Sequence, residues 1–264
     1  MKHLKENTTF KEQLRHIYLS YIPNKRDNLG QIIIKLIFIV SSISLIVSSC
    51  FLGNYFIEAD RQKDIIDNSR AIWHISSSSQ ADDTAEKKPD ETATETLTAK
   101  NEDFKGWITL SHTQIDNPIF QTDNNDFYLN HNQNKRRSSY GALYFDYRNK
   151  ISENETDKNL VIYGHEMNNG SMFGELKKLR TLSFYKQNPT IEFSTIYHSS
   201  TYKIYSIFIL NGDKADDNGY IYNIYRKEFL NESDFGAWAG EAIERSIINT
   251  GVDVEMGDNI ITSV

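Results

Sequence analysis

An uncharged run of 22 residues, 36–57, constrains this chain more than any other feature. As a helix rising 1.5 Å per residue it would be about 33 Å long, enough to cross a bilayer core of about 30 Å. The segment before it, residues 1–30, carries Lys2, Lys5, Lys11, Arg15, Lys25 and Arg26 against Glu6, Glu12 and Asp27, a net charge of +3. Lys35 stands at the edge of the run, where its stem can snorkel to the headgroups. A buried core helix would also be apolar, but the length, the lack of charge and the basic flank point to a span. Basic residues thin out beyond it: residues 58–75 hold only Arg61, Lys63 and Arg70 among Glu58, Asp60, Asp64 and Asp67. The positive-inside rule then sets the N-terminus in the cytoplasm and the remainder outside. The expected organisation is a single-pass cell-membrane protein. It has a cytoplasmic basic segment (1–30), a transmembrane anchor in contact with lipid (31–57) and an extracellular C-terminal part.

Charge and cysteine content narrow the chemistry. The net charge of the chain is −7, and of the part after residue 57 it is −11, which argues against a nucleic-acid partner held through phosphates. The single cysteine, Cys50, excludes an internal disulfide framework and a Cys-built zinc site. It falls inside the apolar run, as a small hydrophobe or, since Val47-Ser48-Ser49-Cys50 resembles a lipoprotein signal, as an acylation site. Either way it stays at membrane depth.

Residues 58–75 continue as a helix, with Ile65, Ile66, Ile72 and Trp73 near helical spacing. In residues 76–102 the pattern breaks: no aromatic occurs, and Leu97 is the sole large aliphatic. Too little apolar surface is available there to offset the entropy of ordering, so 58–102 reads as a juxtamembrane helix followed by a disordered tether. From residue 103 short apolar runs alternate with turn residues. Strands are expected at 106–110, 118–121, 140–145, 160–163, 191–196, 202–210 (the longest), 252–254 and 260–262. Eight short strands in about 160 residues predict a mainly β barrel or sandwich. Two inserted helices are expected, a short one at 172–179 and one at 233–248 capped by Ser233. The apolar stripe of the latter (Phe235, Trp238, Ala239, Ala242, Ile243, Ile247) packs it onto the barrel.

Chemistry concentrates at residues 159–174, where a strand ends at Tyr163, Gly164 permits a sharp turn and His165 is presented at the strand exit. A metal role for His165 with Glu166 is disfavoured because adjacent residues on an extended chain diverge; no cofactor is expected. Tyr163-Gly164-His165, then Met167 and Gly170-Ser171-Met172-Phe173-Gly174, resembles the histidine motif of class B sortases. Gly106-Trp107-Ile108, Ile115-Asp116-Asn117-Pro118-Ile119-Phe120-Gln121, Asp123 to Leu129 and Gly141 to Asn149 fit the same family in order and spacing. The helix from Ser233 fits the insertion before the seventh strand that marks class B. The resemblance covers residues 103–264 and implies a sortase-like closed β-barrel. It also implies a cysteine transpeptidase of Gram-positive-type cell envelopes. Such enzymes cut a C-terminal sorting signal after threonine, hold the acyl group as a thioester and pass it to an amine, usually of the peptidoglycan cross-bridge. The partners implied are surface proteins bearing that signal and the amine acceptor. His165 matches the family's acid/base histidine, and Asn125, Leu129 and Tyr163 match positions that line the sorting-signal groove.

One departure matters. The family nucleophile closes the seventh strand in a motif close to Thr-Leu-Ser-Thr-Cys, and Asp258 to Val264 fits only the approach to it. The cysteine would stand at position 266, and the family's oxyanion-stabilising arginine on a further, eighth strand. Arg245 lies on the inserted helix and is no substitute. The catalytic domain (103–264) is therefore expected to be incomplete at its C-terminus and inactive as written. The alternative is a cysteine-free sortase remnant acting as a membrane-anchored binding module. The trio Lys135-Arg136-Arg137 reads as a solvated loop, with anionic wall polymer as the other partner of that charge.

Overall fold

A computed structural model describes residues 17–77, 88–210 and 220–264. The chain divides into two compact units, Met1–Arg61 and Gln62–Val264. In the first, helix α1 (Leu29–Ser77) begins at a reciprocal cap. The Asn28 side chain accepts from the Gln31 N–H at 2.9 Å, and the Gln31 side chain accepts from the Asn28 N–H at 3.0 Å. The apolar run lies wholly on this helix with its side chains exposed, long and apolar enough to cross a membrane. Cys50 is exposed on it. The Lys35 ammonium turns back toward the N-terminal end of the helix and pairs with the Asp27 carboxylate at 2.9 Å.

In the second unit the final turns of α1 pack against the β domain. Gln62, Ile66 and Ser69 are buried, and Trp73 stacks on Trp107 with ring centres 5.0 Å apart and planes 7° apart. Residues 78–87 fall outside the described residues. The following segment corrects the tether expectation, because 91–100 form helix α2 (Glu91–Lys100). Asp90 caps it by accepting from the Ala93 N–H at 2.8 Å. Ala93 and Leu97 are buried, Leu97 in a cluster with Phe104, Trp107, Phe120 and Tyr144. One aliphatic and one alanine per two turns suffice when an aromatic surface is ready to receive them.

Seven strands form one sheet: β1 (Phe104–Thr109), β2 (Asp116–Phe120), β3 (Leu143–Phe145), β4 (Asn159–Tyr163), β5 (Thr190–Thr195), β6 (Ser199–Lys203) and β7 (Ile260–Ser263). Their order is β6-β5-β1-β2-β3-β4-β7, with β2–β3 and β4–β7 parallel and the rest antiparallel. The sheet curls into a nearly closed barrel. The edges approach across a cleft of about 910 Å³ lined on one side by residues 200–210 and on the other by 258–264. Ile108, Ile119, Leu143, Phe145, Ile162 and Phe193 are buried by this curl. Antiparallel pairing holds β1 and β5 so near at this point that a Cβ at Gly106 would lie 2.3 Å from the Ser194 carbonyl oxygen. Gly106→Ala is therefore expected to cost about 2–3 kcal/mol of stability in urea unfolding, because backbone and not a movable side chain must yield.

The expected strand 202–210 is cut short at Lys203. Beyond it the backbone is satisfied by the end of another helix: the Ile207 N–H donates to the Ser246 hydroxyl (2.9 Å), and the Ile247 N–H donates to the Ile207 carbonyl (2.7 Å). Residues 252–254 form no strand, so among the described residues seven strands stand in place of the eight expected. The strand expected at 140–145 is reduced to β3, because Gly141 turns the chain at φ +59°. In place of a helix at 172–179, Gly170 and Met172 adopt positive φ (86° and 52°). A 3₁₀ turn (Leu176–Arg180) and α3 (Leu182–Gln187) follow. Helix α4 (Glu232–Arg245) starts one residue earlier than expected, with Asn231 rather than Ser233 as its cap. Its Phe235, Trp238, Ala239 and Ala242 pack with Val161, Tyr222, Ile224 and Ile260.

Candidate active site

β4 carries the site to the rim of the barrel. Asn159 anchors its start by donating to the Ile224 and Arg226 carbonyls at 2.8 and 2.9 Å. At its end Gly164 leaves no room for a side chain, since a Cβ would lie 2.2 Å from Leu143 Cδ2 and 2.7 Å from Phe173 Cδ2. The turn at this glycine delivers His165, whose Nε2 lies 2.8 Å from the Leu129 carbonyl. A carbonyl only accepts, so Nε2 carries the proton in this arrangement and Nδ1 is left as the basic nitrogen.

Alongside runs β7, parallel to β4, with Ile162 opposite Ser263. The Val264 N–H donates to the Ile162 carbonyl (2.8 Å), and the Gly164 N–H donates to the Val264 carbonyl (2.9 Å). Continued in this register, the ladder brings the level of His165 two residues past Val264.

The three positions matched to the family's groove fall in two sets. Leu129 meets His165 through its backbone. Asn125 and Tyr163 meet at a third residue, the buried Asp146: Asn125 Nδ2 and the Tyr163 hydroxyl each donate to Asp146 Oδ2 at 3.0 Å. Arg148 closes the remaining carboxylate sites, Nε to Oδ1 at 2.7 Å and Nη2 to Oδ2 at 2.6 Å, and its own N–H donates to Oδ1 at 2.9 Å. The guanidinium lies over the Tyr225 ring at 4.1 Å. Burial works to raise the Asp146 pKa, but the Arg148 guanidinium and the donors from Arg148, Asn125 and Tyr163 prevail and hold it down to about 2. Burial, reinforced by Tyr225 and the Asp146 charge, pushes the Tyr163 phenol well above its usual range, so it stays an O–H donor.

Asp146 and Arg148 fall within residues 141–149, to which the sequence assigned no role beyond the family match. The signal that could have singled them out is an acid with an arginine two residues on at a strand exit, able to close a chelate. Arg245 is engaged elsewhere, with Glu241 at 2.8 Å. Lys135 of the basic trio is paired with Glu102 and Asp103 at 3.1 and 3.0 Å.

Residues 108–237 match the Sortase domain family. The chain is 29% identical over 231 residues to sortase B of Listeria monocytogenes, spanning 85% of this chain and 88% of that one. It is 30% identical over 168 residues to sortase B of Staphylococcus aureus, 64% and 65% of the two lengths. Among solved structures, the Staphylococcus aureus sortase B–substrate complex superposes with a TM-score of 0.67 at 25% identity, covering 78% of this chain and 88% of that one. The chain belongs to the sortase family, in its class B branch.

Proposed function

We propose that the chain is the membrane-anchored scaffold of a class B sortase, with α1 as the anchor and the β domain outside the cell. It binds a C-terminal sorting signal in the groove walled by Asn125, Leu129 and Tyr163. The reaction is cleavage after threonine through a cysteine thioester, followed by transfer to a cell-wall amine. The register of β4 against β7 supports this reading: continued two residues past Val264, it would set a thiol level with His165. There the imidazole can withdraw the thiol proton and return it to the departing amine, which is what cleavage of an amide demands. Residues 104–264 contain no cysteine, the one thiol of the 264 residues being Cys50 in α1. The 264-residue chain is accordingly expected to bind a sorting-signal peptide without turning it over. The alternative, a surface binding module, predicts the same binding with no gain on supplying a thiol.

The two readings separate in one fluorogenic peptide assay. The 264-residue chain is compared with a chain extended by Thr-Cys and the remaining family strand. Thiol-dependent turnover by the extended chain alone supports the transpeptidase. Turnover by the 264-residue chain sinks the assignment of the nucleophile. Absence of turnover in both, with binding retained, favours the module.

A further inference from the structure

The His165 loop, residues 164–175, has almost no regular structure to hold it. Inside the loop, the Met167 and Phe173 N–H groups donate to the His165 carbonyl at 3.1 and 3.0 Å, and Gly170 N–H donates to Met167. A single bridge joins Glu166 and Met172. The outer side of the loop is gripped from the β1–β2 turn by one residue, Gln114. Its N–H donates to Glu175 Oε2 at 2.6 Å, and its side-chain Nε2 donates to the Asn169 carbonyl at 3.2 Å. Gly170, at φ +86°, is pressed so close that a Cβ there would lie 2.8 Å from Gln114 Nε2. Lys178 holds the other oxygen of Glu175 at 2.6 Å, which fixes that carboxylate toward Gln114.

Gln114 is itself held from the opposite side. Arg70, on the docked part of α1, donates from Nη2 to the Gln114 carbonyl at 2.7 Å and from Nε to the Asp116 carbonyl at 2.8 Å. Asp67 orients the guanidinium at 2.9 Å, and His74 Nε2 meets the Asp116 carboxylate at 2.9 Å. A planar fork spanning two carbonyls of one turn fixes both its position and its tilt, which a point charge cannot do. The hydrogen bonds therefore run without a gap from α1 through the β1–β2 turn to Asn169 and Glu175, in the middle and at the far end of the loop that begins at His165.

We infer that Gln114, clamped to α1 by Arg70, is a positioning residue for His165, so that docking of the helix and the geometry of the histidine loop are coupled. This rests on the role proposed for His165, but its test needs no turnover. Amide exchange and the His165 ring NMR signals are followed in the full chain in detergent micelles, for the parent protein, Gln114→Ala, Arg70→Ala and Arg70→Lys. Amides 167–174 are expected to exchange about tenfold faster in both alanine variants. The His165 ring signals should shift, while β1 and β5 keep their protection. Arg70→Lys, able to reach one carbonyl but not both, should fall between Arg70→Ala and the parent.

Unchanged loop exchange in both alanine variants overturns the inference, and so does acceleration spread equally over β1 and β5. An effect of Gln114→Ala without one of Arg70→Ala overturns the clamp by α1. A cysteine-bearing chain that fails to transfer peptide, with the loop responding as expected, would instead count against the proposed function.

Discussion

Replacing His165 by alanine in a chain that carries a cysteine at the continuation of β7 is expected to lower kcat/KM for a sorting-signal peptide about a thousandfold. Two losses combine. Without the imidazole the thiol keeps its proton near neutral pH, and the departing amine has no positioned donor. The geometry makes the effect specific. The ring is fixed by the Leu129 carbonyl at 2.8 Å, and the β4–β7 ladder sets the level at which a thiol meets it. A loss smaller than tenfold would show that some other group moves the proton. Binding of the peptide to the variant, measured by fluorescence anisotropy, should fall far less than turnover: of the proposed groove residues, Asn125 and Tyr163 are held by Asp146, and Leu129 alone loses its contact with His165.

The second large effect concerns Asp146. Asp146→Ala is expected to destabilise the β domain by about 3–4 kcal/mol in denaturant unfolding, because it strands the donors of Arg148, Asn125 and Tyr163 around a vacated, buried site. Only 2% of the Asp146 side chain is exposed, so the carboxylate meets its donors largely shielded from bulk water. Linkage gives a second readout. The carboxyl titrates at about 2 in the folded protein against an ordinary value of 3.8. A depressed folded value means that the stabilisation is complete above the unfolded value and drains away as pH falls from about 4 toward about 2. Asp146→Asn removes this titration and should flatten that part of the acid limb, with a smaller loss at neutral pH. An acid limb identical in the parent and the Asn variant would show that Asp146 is not ionised in the fold. Peptide affinity should fall with the alanine variant as well, since Asn125 and Tyr163 lose the acceptor they share.

Much of the fold was legible residue by residue. A run without charge between flanks of unequal basicity is a local property, and so are the short alternating runs and the part of the apolar stripe that packs α4 (Phe235, Trp238, Ala239 and Ala242); Ile243 and Ile247, expected on the same stripe, are exposed. The histidine at a strand exit between Gly164 and Gly170 was equally visible. Where local reading failed, a distant segment decided the outcome. Residues 204–210 have the composition of a strand, but Ser246, 39 positions from Ile207, takes the hydrogen bond that a neighbouring strand would have supplied. Residues 91–100 look too polar to order, yet Leu97 finds a prepared aromatic surface in Phe104, Trp107 and Phe120.

The sequence by itself therefore determined the apolar run, the β character of the domain and the presentation of His165 at a strand exit, because periodicity, charge and turn residues act between near neighbours; Asn125, Leu129 and Tyr163 were singled out by the family resemblance alone. Only the tertiary structure decided how those positions are joined. Asp146 lies 21 residues from Asn125 and 17 from Tyr163, and Arg70 lies 44 from Gln114. No pattern along the chain encodes such distances. They are set when the barrel curls and brings one loop within hydrogen-bond reach of another, where a buried carboxylate or a forked guanidinium can satisfy several donors or acceptors at once.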